Sequence, residues 1–137
     1  MQPIIDIHVH IMPYHMMKPS AMALMRHGRK DYAEVERYCA DPKEFLGLLD
    51  RLGIERAGLI NYVSPKIIGF TPEVNDWIAQ YCKAAPDRLL AFGGVLPGTV
   101  SDPGTEVDRI AISLFPSESG GPRSKKTRIG RSVERTT

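Results

Sequence analysis

The chain has 137 residues, of which 42% are hydrophobic and 25% charged. That is enough for one domain with a real core and too few for a complete eight-fold β/α barrel, which takes about 250. No apolar run approaches a membrane span, and no basic region followed by a long apolar core opens the chain, so a cytoplasmic protein with no membrane partner is expected. The formal charge of +2 conceals an asymmetry: residues 112–137 carry six Lys/Arg against two Asp/Glu, whereas the body is mildly acidic.

The first element is a strand over residues 3–11, where apolar and polar side chains alternate. Ile5, Ile7 and Val9 fall on one face, and Asp6, His8 and His10 on the other. A carboxylate and two imidazoles on one side of a greasy strand are costly unless something uses them. Histidines at i and i+2 of a strand lie about 6.5–7 Å apart along the backbone, and both rings lean the same way. Two imidazole nitrogens can then meet one divalent ion, most simply zinc. His8 and His10 are therefore the candidate metal ligands. Asp6 is expected to support them by fixing a histidine tautomer.

A long connection follows, rich in methionine (Met12, Met16, Met17, Met22, Met25), with a short helix expected over residues 31–39. Methionine is adaptable, so this segment either lines a pocket or covers the sheet's mouth and pads a contact between copies. His15 and His27 read as ordinary loop residues.

Strands two and three are expected over residues 56–63 and 88–96, apolar on both faces as in a parallel sheet covered by helices. Asp41-Pro42, Thr71-Pro72 and Asp102-Pro103 each place a capping oxygen before a proline. Glu44 completes a capping box with Asp41, and Gly53 marks the helix stop. Phe45, Leu48, Leu49 and Leu52 form one apolar stripe, and Val74, Trp77, Ile78 and Tyr81 another. The three starts are about 30 residues apart, the length of a βαβ unit. Gly93-Gly94 lacks a dinucleotide fingerprint and reads as close packing at the strand end. Cys39 and Cys82, far apart and without a CxxC spacing, read as reduced thiols.

Ile112-Ser113-Leu114-Phe115 is expected to begin a fourth strand, after which Ser, Gly and Arg dominate and disorder is expected. The abrupt change of texture near Ala111 suggests a departure from the ancestral reading frame. The basic tail has no interleaved aromatics, so no nucleic-acid partner is expected.

Ile5-Asp6-Ile7-His8-Val9-His10-Ile11-Met12-Pro13 resembles the opening strand of the amidohydrolase superfamily, in particular the branch of aminocarboxymuconate-semialdehyde decarboxylase and related metal-dependent hydrolases. The likeness extends to the helix-to-strand joint at residues 49–57 and to Gly93-Gly94-Val95, covering about residues 3–111. The resemblance implies a TIM (β/α)8 barrel with divalent metal at the C-terminal face of its strands. It implies a hydrolase or decarboxylase acting on a small carbonyl- or carboxylate-containing substrate. His8 and His10 match the family's first-strand ligands. Its later histidines and last-strand aspartate have no counterpart among the residues given, so no catalytic residue is assigned and an incomplete, truncated barrel is expected. Residues 1–111 form the partial barrel and residues 112–137 the tail. Asn61, near the end of strand two, either contacts substrate or is a hydrogen-bonded barrel group. Two other functions remain open: a non-catalytic remnant or interaction module of the same fold, and a phosphoesterase of the polymerase-and-histidinol-phosphatase type. The open sheet edges of three strands invite a homo-oligomer.

Overall fold

The computed structural model describes residues 2–114. They form a mixed α/β fold with a three-stranded parallel sheet in the order β1-β2-β3. The strands are β1 (Ile4–Val9), β2 (Ile54–Ile60) and β3 (Leu89–Phe92). Five helices join them: α1 (Pro19–Arg26), α2 (Tyr32–Ala40), α3 (Pro42–Leu52), α4 (Val74–Cys82) and α5 (Pro103–Leu114). Among the described residues the sheet is open at both edges and no barrel closes. No described helix is long and apolar enough to cross a membrane.

β1 and β3 lie inside their expected ranges, β2 begins two residues before its own, and all three end earlier. β3 stops at Phe92, and Gly93 after it lets α5 come close: a Cβ at Gly93 would overlap the Ile110 side chain. Helix α3 begins and ends as its sequence dictates. The Asp41 carboxylate accepts from the Lys43 N–H at 2.9 Å, and Gly53 closes the helix in the left-handed region at φ 68°. Asp102 caps α5 in the same way, accepting from the Gly104 N–H at 3.0 Å and the Thr105 hydroxyl at 2.6 Å.

Three expectations of local structure are corrected. The capping box does not form, because α2 runs directly into α3 and the Asp41 N–H is already bonded to the Arg37 carbonyl. Glu44 pairs with Arg37 at 3.6 Å instead. Thr71 does not cap α4 with its side chain. Residues 71–73 form a turn, and the carbonyls of Thr71 and Pro72 take the Val74 and Asn75 N–H groups. Residues 112–114 are not a strand: they are the last turn of α5, and only Phe115 and the tail lie outside the described residues. One feature was not foreseen: the apolar side of β1 is largely uncovered. Ile5 and Ile7 are 49% and 72% exposed, Ile4 at the strand's start is 53% exposed, and Val9 reaches the core. None of the described helices packs along that edge.

The main core lies between the sheet and its helices, where Ala57, Leu59 and Leu89 meet Phe45, Leu49 and Ile78. Each of these buried side chains contributes on the order of 1.5–3 kcal/mol, Ala57 less. Leu52, expected in the α3 stripe, points to solvent. The methionine-rich connection, including the unforeseen helix α1, builds a second core. Met17, Val63, Phe70 and Val74 form its centre, with Met16, Met22 and Met25 packed around it. The bond from the Lys18 N–H to the Ile68 carbonyl, 2.7 Å, clamps that core against the loop after β2. Gly69 permits the clamp: its φ is +108°, and a Cβ there would lie 2.8 Å from the Met16 carbonyl oxygen.

Arg88 ties the other end of the sheet. Its guanidinium donates to the Asp50 carboxylate at 2.7 Å and to the carbonyls of Ile54 and Glu55, each at 3.0 Å. Arg109 joins α5 to α4 through two bonds to Asp76 at 2.7 and 2.8 Å and a bidentate pair with Glu106. Cys39 and Cys82 are free, and both are buried.

Gly69→Ala is expected to cost about 1–3 kcal/mol of stability, through a strained backbone and the Met16 clash, measured by urea unfolding. Burial pushes the Cys82 thiol up to about 12. A thiol in the unfolded chain ionises near about 8.5. The unfolded state therefore loses its proton first as pH rises. Stability is full below that value and declines until the folded thiol also ionises. Urea midpoints are expected to fall from about pH 9 upward, with a shallower initial decline in Cys82→Ala.

Candidate metal centre

The two histidines come together at the C-terminal end of β1. His8 Nε2 lies 3.1 Å from His10 Nε2, with the rings edge to face at 4.9 Å between centroids. Both side chains are exposed. The Ile60 carbonyl at the end of β2 accepts from His10 Nδ1–H at 2.8 Å. A carbonyl can only accept, so this bond places the His10 proton on Nδ1 and leaves Nε2 with a free lone pair. His8 Nε2–H then donates to it. The Tyr62 ring stands edge-on to His10 at 5.7 Å, the next residue but one along the chain from Ile60.

Strand register explains how β1 reaches this arrangement. Asp6 lies opposite Ala57 and Val9 opposite Leu59, so β1 takes three steps where β2 takes two. The register also shifts in the opposite sense between Ile4 and Ile5, and such bulge-type irregularities re-aim side chains. The strict alternation expected from the sequence is broken there. The expected role of Asp6 changes with it: Asp6 Oδ1 accepts from the His8 backbone N–H at 3.1 Å, so it holds the bulged main chain instead of an imidazole.

The pair fits a metal ion by its spacing. Two donor atoms bound tetrahedrally at about 2.0–2.1 Å from one zinc are roughly 3.3 Å apart. The observed Nε2 separation of 3.1 Å is within a few tenths of that. The Ile60 carbonyl also supplies the outer bond that metal-ligating histidines usually make. Among the described residues no group of three His, Cys, Asp or Glu side chains gathers around one point.

Asn61 is fully buried, 2% exposed, and its Nδ2 donates to the Ile11 carbonyl. It cross-links the ends of β1 and β2, and its Oδ1 is unpaired. This is a structural bond between strand ends, of the hydrogen-bonded kind that the sequence left as one of two alternatives.

Asn75 was missed by sequence reasoning. It is 1% exposed, and it grips the Gly94 backbone with both ends of its amide, donating to the carbonyl and accepting from the N–H at 2.9 Å each. Its position carried a signal. Asn75 opens the stripe of Ile78, Ala79 and Cys82 at helical spacing, so a polar group there had to be buried.

Beyond His10 the chain borders an open cavity of about 330 Å³ lined by Met12, Tyr14, His15, Glu36, Cys39 and Trp77, among others. His15 faces Trp77 there, 6.5 Å between ring centroids. His27 merely ends α1, its N–H bonded to the Ala23 and Leu24 carbonyls.

Compared with known protein families, with curated proteins and with solved structures, the chain matches none.

Asn75→Ala leaves two backbone groups of Gly94 without their partner. It is expected to cost about 1–3 kcal/mol in urea unfolding.

Proposed function

We propose that the chain carries the opening β/α units of a metal-dependent amidohydrolase-type enzyme, a hydrolase or decarboxylase of small carbonyl- or carboxylate-containing substrates. One observation carries this reading: two imidazole Nε2 atoms 3.1 Å apart at the C-terminal end of a first parallel strand, one of them with its proton fixed on the far nitrogen. Ligand-bearing residues of β/α enzymes sit at that end of their strands.

In this reading His8 and His10 hold a divalent ion, with zinc the best match to two neutral imidazoles. When bound, such an ion supplies Lewis acidity and an activated water. The chain's own groups do the positioning. The Ile60 carbonyl fixes the His10 ring, and Asp6 fixes the His8 main chain. Asn61 keeps the two strand ends in step. The cavity between Tyr14, His15 and Trp77 offers aromatic walls beside one carboxylate, a place for a small substrate next to the strand ends. A catalytic zinc site uses three protein ligands and one open position. The described residues supply two, which suits a metal-binding module without turnover as well as one part of an enzyme. The TIM barrel remains part of this proposal.

The test is metal binding. Chelator-stripped protein is expected to take up zinc in calorimetry, and His8→Ala and His10→Ala are each expected to weaken uptake at least about tenfold. Both positions are exposed, so the variants should keep the wild-type circular dichroism spectrum. Undiminished uptake by the double variant would overturn the reading.

A further inference from the structure

We propose that a single zinc ion joins two copies of this chain, each contributing His8 and His10 from its β1 edge. This rests on the metal reading above and names the partner that completes the site.

The donor count comes first. A closed zinc site takes four ligands, and one copy supplies two nitrogens already at ligand spacing. No third His, Cys, Asp or Glu joins them among the described residues. All four histidines and both cysteines of the sequence fall within those residues. Beyond them the sequence offers only Glu118 and Glu134 as further ligand-type side chains. The described residues hold no second imidazole pair at this point, and a second copy is the one partner certain to carry it.

Location makes the pairing possible. β1 is an edge strand, with β2 on one side only. Edges are normally blunted by lysine, proline or inward charges. Ile4–Val9 contains no Lys, Arg or Pro, and Asp6 is its single charge. Ile4, Ile5 and Ile7 are about half exposed or more along the same strand. A second copy would cover them while its own are covered.

Symmetry supplies the geometry. A two-fold axis makes the facing strands antiparallel and the contact self-complementary. His8 and His10 flank Val9, so an axis passing near Val9 sets each His8 opposite the other copy's His10. Cross-strand neighbours share a face with Cβ atoms about 4.5–5.5 Å apart. Four imidazoles then converge from one face of a continuous six-stranded sheet. On metal binding the His8 proton moves from Nε2 to Nδ1, so both rings stay neutral and each presents a bare Nε2.

The experiment uses the full chain, stripped with chelator and titrated with zinc. Bound metal and sedimentation mass are measured together. Saturation at half an equivalent of zinc per chain, with mass doubling and reversal by EDTA, is expected. Ile7→Lys keeps both ligands and charges the edge. It is expected to stay monomeric and to lose at least about tenfold in zinc affinity. One zinc per chain without a change in mass overturns the bridge and leaves the single-chain metal site standing. A dimer that forms equally without zinc, or in His10→Ala, also overturns it, as does an Ile7→Lys protein that dimerises like wild type. Failure to bind zinc at all removes both proposals.

Discussion

The alignment of β1 along β2 turns two histidines into a pair. Both imidazoles belong to β1, but the group that orients His10 is a carbonyl of β2. The same two strands are locked a residue further on by Asn61, whose amide reaches the Ile11 carbonyl. Everything on the helix side serves this alignment. Ala57 and Leu59 of β2 are wholly buried beneath α3 and α4, and that burial fixes where Ile60 falls.

Several polar side chains of the fold are spent on backbone. Asn75 grips Gly94, Arg88 takes two carbonyls at the start of β2, and Tyr81 donates to the Tyr38 carbonyl at 2.5 Å. Burial raises the Tyr81 hydroxyl well above its ordinary value, so it stays a neutral donor. The bonds of Asn75 and Arg88 satisfy main-chain groups at strand ends, where a parallel sheet most needs them, and that of Tyr81 satisfies a carbonyl near the end of α2. The result is a rigid floor beneath the histidine pair and beside the cavity at Trp77.

Local rules were legible where one residue decides the outcome. Asp41, Gly53 and Asp102 act as their chemistry requires, and the strands at Arg56 and Arg88 appear near their expected places. Misreadings arose where a neighbour had already used the group in question. Glu44 could not complete a capping box because α2 had taken the Asp41 N–H. Ile112 and Leu114 look like strand residues in isolation, but the cap at Asp102 launches a helix that carries through them. The β1 bulge was invisible because alternation describes one strand, whereas a bulge is a property of two. The pairing of His8 with His10 followed from i, i+2 spacing alone; the Ile60 carbonyl, a backbone atom fifty residues away, left no trace in composition. The exposure of Ile5 and Ile7 was not foreseen, because periodicity marks a face as apolar without saying what covers it.

An edge strand detaches from its sheet at less cost than a central one. If β1 frays from β2, the His10 ring loses its anchor at Ile60 and the two nitrogens fall out of register. The geometry of the pair and the closure of the β1 ladder are thus one equilibrium. Any occupant of the pair acts as a clasp on that ladder, and amide hydrogen exchange along Ile4–Val9 reports its presence from the protein side, without a spectroscopic handle on the occupant itself.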